Sequence, residues 1–173
     1  MKPAHVITLF ILASLLPQLA TAELKHVSEH GFIIENQIET NASVDNAWQA
    51  LTNNIDQWWP KDHSWWGGTF SVQAKAGGCF CETSGERSAE HMRIVFVDPG
   101  KTLRMTGGLG PLQGMGLNGA LDWRFTRTET GKTQITLHYA VHGINADGFE
   151  QLAPIVDQVQ GIQLEGLKTF LSN

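Results

Sequence analysis

Residues 121–141, LDWRFTRTETGKTQITLHYAV, carry the strongest secondary-structure signal in the chain. Apolar and polar side chains alternate on both sides of a short polar turn at residues 129–131. Alternation with a period of two is typical of a strand with one buried face, so the stretch predicts an antiparallel hairpin. His138 and His142 fall on the polar phase, and we expect both to face solvent.

The hydrophobic period becomes that of a helix beyond this hairpin. Apolar side chains recur at intervals of three and four residues over residues 149–170. Pro154 is tolerated in the first turn of a helix, so we place the main helix over residues 154–171, after a preliminary turn. Gly161 and Gly166 each cost about 1 kcal/mol inside a helix. A close neighbour or a bound molecule would offset that cost.

The preceding part of the chain supplies one short helix and further strands. Ser43 has the side chain of a helix N-cap, and the apolar spacing after it predicts a helix over residues 44–51. Alternation predicts strands at residues 32–39, 69–74, 79–83, 90–97 and 103–105. A strand, a short helix, about six antiparallel strands and a long C-terminal helix suit a sheet wrapped around a terminal helix. The sequence therefore predicts an α+β fold.

Four of the six tryptophans fall within nine residues, 58–66, which read WWPKDHSWW. Pro60 and the two charged residues after it interrupt any regular helix or strand. Fully burying one such ring stabilises a fold by roughly 2 to 3 kcal/mol. This tryptophan segment therefore either plugs the end of a core or lines a ligand cavity, and we argue for the cavity wall.

Two strands, 79–83 and 90–97, are predicted to pair around the loop between them. Pairing centred on that loop places Glu82 opposite His91, on a polar face that also holds Arg93. An exposed polar ladder explains these three residues without any chemistry. The opposite, core face is expected to carry Cys79, Cys81, Met92, Ile94 and Phe96.

Cys79 and Cys81 are the only two cysteines in the sequence. Residues two apart in an extended strand are too far from each other for a disulfide unless the chain bends. A metal site would need two further ligands, and the seven histidines offer no partner pair with a recognisable spacing. We therefore predict two free, partly buried thiols and no metal.

Six glycines lie in residues 107–119, the glycine-rich segment. Its last part, GMGLNG at residues 114–119, matches the GxGxxG pattern of dinucleotide-binding proteins. A predicted strand follows instead of a helix, so no helix N-terminus is available to hold a pyrophosphate, and we discard this interpretation. A mobile lid or a plain loop accounts for the segment.

Residues 1–22 are predicted to be an export signal. Lys2 precedes an apolar run at residues 6–16, and the small residues at 20–22 predict cleavage after Ala22; an uncleaved anchor is the alternative. Loss of Lys2 changes the net charge from -5 to -6, which argues against nucleic acid or an anionic membrane as a partner. We expect one periplasmic or secreted domain over residues 23–173, without a stable membrane anchor.

The ordered set of motifs resembles the START/Bet v 1-like (SRPBCC) superfamily, in the branch of the Hsp90 ATPase activators and polyketide cyclases. The matching stretches are residues 43–51, 58–60, 77–82, 98–103, 109–113, 119–123 and 152–171. The resemblance implies a helix-grip fold, in which a curved antiparallel sheet of about six to seven strands wraps around a long C-terminal helix. It also implies an apolar cavity between the sheet and that helix. An exported chain would not meet the cytosolic chaperone Hsp90, so we expect no Hsp90 contact.

Two kinds of function remain open. Binding of a small hydrophobic molecule, lipid, polyketide-like or aromatic, needs only a cavity and a mouth, and no cofactor is expected. The alternative is an enzyme of the cyclase or aromatase type, which needs an acid or base inside the cavity. The polar candidates are Glu82, His91, Tyr139 and His63, and the sequence shows no nucleophile and base among them. The predicted ligand-binding residues are Trp58, Trp59, Trp65, Trp66, Phe70, Cys81, Met92, Met105, Leu109, Trp123, Tyr139 and Val159.

Overall fold

The computed structural model describes residues 21–173. Eight antiparallel strands in this part of the chain form one sheet, in the order β1-β2-β8-β7-β6-β5-β4-β3. The strands are β1 (Thr21–Ser28), β2 (Gly31–Thr40), β3 (Thr69–Val72), β4 (Cys79–Ser84), β5 (Arg87–Asp98), β6 (Thr102–Thr106), β7 (Asn118–Arg127) and β8 (Thr133–His142). The helices are α1 (Val44–Asn53), α2 (Ile55–Trp58), α3 (Pro111–Gly114) and α4 (Leu152–Phe170), with a 3-10 turn at Lys61–His63.

This architecture confirms the predicted α+β helix-grip fold, with eight strands instead of six to seven. The extra strand is β1, which pairs with β2 at one edge of the sheet. The sequence of β1, TAELKHVS, shows only weak alternation of apolar and polar residues, and the first predicted strand, at residues 32–39, corresponds to β2. An edge strand needs only one partner, so its sequence is less constrained by burial than that of a central strand.

The β7–β8 hairpin confirms the prediction made from residues 121–141. Asp122 pairs with His138 and Trp123 pairs with Leu137, so the apolar phases of the two strands lie on one face. His142 is exposed as expected, whereas His138 is half-buried. The buried hydrophobic residues of the hairpin are Leu121, Trp123, Phe125, Ile135, Leu137, Tyr139 and Val141.

α4 lies against β1 and β2, and its two glycines mark places of close approach. A β-carbon on Gly166 would lie 2.8 Å from the carbonyl oxygen of Trp58, and one on Gly161 would lie 3.2 Å from Oδ1 of Asn36. The close neighbours that we expected to offset the glycines are therefore present. Pro154 lies in the first turn, where its missing N–H breaks no helical hydrogen bond.

The pairing of β4 with β5 differs from the predicted register because β5 contains a bulge. Phe80 pairs with Met92, but Cys81 pairs with Glu90, so His91 is an extra residue on β5. His91 and Met92 are consecutive and both buried, as a bulge permits. The predicted exposure of His91 is therefore wrong.

Glu82 is also buried, contrary to the predicted polar ladder. It pairs with Ala89 instead of His91, and its side chain shares the inner face of β4 with Phe80. Arg93 is exposed as expected. A second register shift, between Ile94 and Phe96, turns Phe96 outward, so that ring is 47% exposed instead of lying in the core.

Cys79 and Cys81 form a disulfide, so the prediction of two free thiols is wrong. In a regular strand their Cα atoms would be about 6.6 Å apart, whereas here they are 5.5 Å apart. β4 contracts at the step where its pairing with β5 shifts, which a prediction based on a regular strand misses. Both cysteines are half-buried and alternate with the buried Phe80 and Glu82, so they do not carry the core face.

The predicted export signal lies outside the described residues except for Thr21 and Ala22, which begin β1. Cleavage after Ala22 and an extracytoplasmic location stay predictions. Within residues 21–173, no helix combines the length and apolar character that a membrane span needs.

Candidate functional site

A cavity of about 310 Å³ lies between α4, the glycine-rich segment and the tryptophan segment. Its volume is near the lower end of the range of about 300 to 1,000 Å³ that small-molecule sites occupy. Among the described residues, His91 is the one lining residue from a strand. The cavity therefore lies at one end of the fold, where two loops meet α4, and not beneath the whole sheet.

α4 forms the longest wall of this cavity. Its lining residues are spaced by one, three or four positions, which places them on one face of a helix. They are Leu152, Ile155, Val156, Val159, Gln160 and Gln163. The first four are apolar and Ile155 is 59% exposed, whereas the two glutamines are buried. The wall is therefore apolar near an open mouth and polar at its inner end.

The first tryptophan pair, Trp58 and Trp59, belongs to the core. Trp58 is 6% exposed, its indole N–H donates to the carbonyl oxygen of Ala50 at 2.8 Å, and its ring meets the ring of Trp123. Trp59 is equally buried, with its ring centroid 4.9 Å from that of Phe80. One side of Trp59 also lines the cavity. Both of the alternatives considered for the tryptophan segment thus apply, to different residues.

The second pair, Trp65 and Trp66, is largely outside the core. Trp65 is 44% exposed and lines the cavity, while Trp66 is 36% exposed and does not line it. These rings are held in place through their backbone. The amides of Trp65, Trp66 and Gly68 each donate to the carboxylate of Glu82 at 3.0 Å.

Glu82 is therefore the anchor of the loop that carries the second pair. Its side chain is fully buried, and His91 Nε2 lies 3.1 Å from Oε2 as a fourth partner. A β-carbon on Gly68 would clash with the backbone carbonyl oxygen of Thr83 and would lie 2.9 Å from Oε1 of Glu82, so glycine is required for this approach. Burial acts to raise the pKa of Glu82, but the hydrogen bonds from the three amides and from His91 outweigh it and lower the pKa.

A second set of contacts closes the tryptophan segment against β3. Asp56 Oδ1 accepts from the backbone N–H of Phe70 at 2.7 Å and from Lys61 Nζ at 2.5 Å. Lys61 also donates to the carbonyl oxygen of Gly68 at 2.7 Å. The loop between α2 and β3 is thus fixed from both ends, and Trp65 has a defined place in the cavity wall.

His91 connects this anchor to the cavity. Its ring packs against those of Phe70 and Phe80, with centroid distances of 5.5 and 5.2 Å, and it lines the cavity. Burial lowers the pKa of His91, and the hydrogen bond and charge of Glu82 oppose this only in part, so the imidazole is neutral near pH 7. Because a carboxylate only accepts, Nε2 carries the hydrogen, which leaves Nδ1 as an acceptor.

Tyr139 is a positioning residue of the glycine-rich segment. Its hydroxyl donates to the carbonyl oxygen of Gly107 at 2.9 Å and accepts from the backbone N–H of Leu109 at 3.0 Å. Burial, opposed by the bond from Leu109, raises the pKa of Tyr139 to about 12. The hydroxyl is thus fully engaged at the base of the segment, and movement of the segment as a lid stays a prediction.

The structure places the predicted ligand-binding residues in three groups. Four of them line the cavity: Trp59, Trp65, Leu109 and Val159. Six are buried in the core without lining it: Trp58, Phe70, Met92, Met105, Trp123 and Tyr139. Cys81 lies in the disulfide and Trp66 lies at the surface, and neither lines the cavity.

The sequence reasoning missed most of the α4 wall and all of α3. Helical spacing around Val159 was a usable signal, because positions three or four residues away on either side share its face. The burial of Gln160 and Gln163 was not predicted, because polar residues on a helix usually face solvent. The missed lining residues are Asp62, Ser64, Gly110, Pro111, Leu112, Met115, Leu152, Ile155, Val156, Gln160 and Gln163.

An antiparallel sheet with a long C-terminal helix and a cavity beside that helix defines a class of α+β proteins with an internal cavity. Residues 32–171 match the model of the family described as polyketide cyclase / dehydrase and lipid transport. The chain belongs to this family. Among curated proteins, none matches it.

Solved structures of the same fold come from several bacteria. CalU16 from Micromonospora echinospora is 20% identical with a TM-score of 0.59, over 88% of this chain and 84% of that chain. An uncharacterised protein from Rhizobium leguminosarum is 14% identical with a TM-score of 0.63, over 90% and 99% of the two chains. A protein from Arthrobacter aurescens is 15% identical with a TM-score of 0.59, over 87% and 92%. At identities of 20% or less, these similarities show a shared fold and nothing about activity.

Proposed function

We propose that the protein binds a small hydrophobic molecule in the cavity beside α4. The observation that carries this proposal is a cavity of about 310 Å³ with walls from Trp59, Trp65, Leu112 and Val156 and an open mouth. Closed cores do not leave such a volume unfilled, because packing contacts are lost around every void. The family to which the chain belongs, which includes lipid transport in its description, supports a role of this kind.

The size of the cavity favours a compact ligand. A molecule of one or two fused rings would be enclosed, whereas a long acyl chain would extend through the mouth past Ile155 and Met115, which are both exposed lining residues. Aromatic rings gain from edge or offset contacts with tryptophan beyond the area they bury. We therefore favour an aromatic or alicyclic ligand over a long-chain lipid.

Binding can be tested with 1-naphthol as the probe. At a hundred times its dissociation constant it should add about 2.7 kcal/mol to the stability of the protein. That gain shifts the melting temperature by several degrees in a domain of this size. Val159→Trp places a ring in the cavity and should abolish the shift. Ile162→Trp, on the exposed side of the same helix, is the matched control and should keep it. Equal shifts in both variants would contradict this binding site.

A second candidate is an enzyme of the cyclase type that acts on such a ligand in the same cavity. The observation that favours it is His91, a neutral imidazole in the cavity wall whose orientation is set by Glu82. A base oriented by a buried carboxylate is a common arrangement for proton abstraction. In heavy water, the protein should speed deuterium exchange beside the ketone of 2-tetralone, and His91→Gln should return it to the uncatalysed rate. An unaccelerated rate in the wild type would exclude this candidate.

A further inference from the structure

Three buried polar atoms without a hydrogen-bond partner lie in the wall of the cavity. Within residues 21–173, four buried side-chain atoms lack a partner, and His63 Nδ1, Gln160 Oε1 and Gln163 Oε1 all belong to lining residues. The fourth, Asn36 Oδ1, lies beneath α4 near Gly161. Each such atom costs about 1 to 3 kcal/mol when nothing pairs with it, so their concentration at one cavity calls for a partner that the chain itself does not provide.

The two glutamines share one buried face of α4. They lie three residues apart on α4, so their side chains leave the same face of the helix. Gln160 is 1% exposed and Gln163 is 3% exposed, which means that bulk water does not reach their amides freely. A ligand that displaces the water of the cavity can supply hydrogen bonds to them.

The charges around the cavity select against an anion. The lining residues include the carboxylate of Asp62 and, within the described part of the chain, no lysine or arginine. Lys61, the nearest cation in sequence, is engaged with Asp56 and with the carbonyl oxygen of Gly68. A fatty acid carboxylate would therefore enter a site that holds a like charge and, among its described lining residues, no lysine or arginine to pair with it.

We propose that the cavity selects a neutral molecule with an apolar ring body and two or more hydroxyl groups, which pair with Gln160, Gln163 and His63. This rests on the proposed binding function and names the class of its ligand. A hydroxyl both donates and accepts, so it satisfies an amide in either orientation and either ring nitrogen of a histidine. The rings of Trp59 and Trp65 face the apolar body of the same molecule.

A matched series of ligands tests this proposal on the wild-type protein. The series is naphthalene, 1-naphthol, 1,3-dihydroxynaphthalene and 1-naphthoate, with dissociation constants measured by tryptophan fluorescence. Each hydroxyl that finds a partner should raise affinity about two- to tenfold. The dihydroxy compound should therefore bind tightest and 1-naphthoate weakest. Equal affinities across the series, or tightest binding of 1-naphthoate, would overturn the proposal while leaving the binding function in place. If no member binds, both are overturned.

Variants then assign the effect to the glutamines. In Gln160→Leu/Gln163→Leu the preference for the dihydroxy compound over naphthalene should disappear, while naphthalene binds at least as well. The free variant should also melt no lower than the wild type, because two buried amide oxygens without a partner have been removed. Gln158→Leu, on the exposed side of α4, is the control and should keep the preference. If the double variant keeps it too, the proposal is overturned. The wild-type ligand series stands even if the double variant does not fold.

Discussion

The two tryptophan pairs of residues 58–66 are separated by five residues, yet different contacts hold them. Trp58 and Trp59 are held by their rings, which pack on Trp123 and Phe80 within the core. Trp65 and Trp66 are held by their backbone amides, which donate to Glu82, while their side chains are only partly buried. A ring used for packing cannot serve a ligand with the same surface. A ring positioned through its backbone remains available to a cavity.

Truncation of Trp58 should give the largest loss of stability. Trp58→Ala removes a fully packed ring and leaves the carbonyl oxygen of Ala50 without its partner. Large-to-small changes of a buried aromatic residue cost about 3 to 5 kcal/mol. Urea unfolding should show this loss, whereas Trp66→Ala, which removes a partly exposed ring, should cost less, about 1 to 2 kcal/mol. Similar losses in the two variants would mean that both pairs belong to the core.

Removal of the anchor should release the second pair and spare the first. Glu82→Gln keeps the volume but places an NH₂ group where amides now donate, so some of the four donors lose their acceptor. Each buried group left unpaired costs about 1 to 3 kcal/mol. Limited proteolysis should become faster within residues 64–68. Glu86→Gln, in the exposed turn between β4 and β5, should behave as the wild type. Unchanged proteolysis in Glu82→Gln would show that other contacts fix the loop.

Lowering the pH should weaken the same anchor, because it protonates the carboxylate of Glu82. The pKa of Glu82 is lowered in the folded protein, because its four hydrogen bonds outweigh the effect of burial. A carboxylate with a depressed folded pKa stabilises the fold fully above its unfolded pKa, about 4.3, and loses that contribution as the pH falls through the folded pKa. The stability difference between the wild type and Glu82→Gln should therefore be constant from pH 7 to about 5 and shrink at lower pH. If this stability difference instead grew as the pH fell, the pKa of Glu82 would be raised in the folded protein and not lowered.

The part of the fold that sequence predicts is the part set by local periodicity. Residues 121–141 and the stretch after Pro154 repeat a pattern over many residues, and each pattern reports which face of its own element is buried. The pairing of β4 with β5 depends instead on a bulge at His91, which no local pattern marks. A register shift of one residue exchanges the two faces of a strand, so Glu82 and His91 were assigned to solvent.

The same distinction between predictable and unpredictable features applies to the candidate site. Apolar lining residues such as Trp59, Leu109 and Val159 were predicted because large apolar side chains concentrate where a cavity or core must be. The polar wall of Gln160 and Gln163 was not predicted, because a buried amide and a solvated amide have the same sequence signal. Only the packing of α4 against the two loops separates them.

The smallest change in stability, and the sharpest distinction, is expected within the second pair itself. Trp65→Ala and Trp66→Ala both keep the backbone amide that donates to Glu82, and both remove a ring that is partly exposed. Each should therefore lower the free energy of unfolding by about 1 to 2 kcal/mol, less than the roughly 3 to 5 kcal/mol expected for a fully buried ring.

Their effects on binding should differ, because the ring of Trp65 lines the cavity and that of Trp66 does not. An aromatic contact is worth about 0.5 to 1.5 kcal/mol beyond buried area, so Trp65→Ala should weaken binding of 1-naphthol about two- to tenfold. Trp66→Ala should leave the dissociation constant unchanged, as measured by titration calorimetry at one temperature. Equal weakening in both variants would indicate that the loop acts as a unit, and weakening in neither would remove Trp65 from the cavity wall.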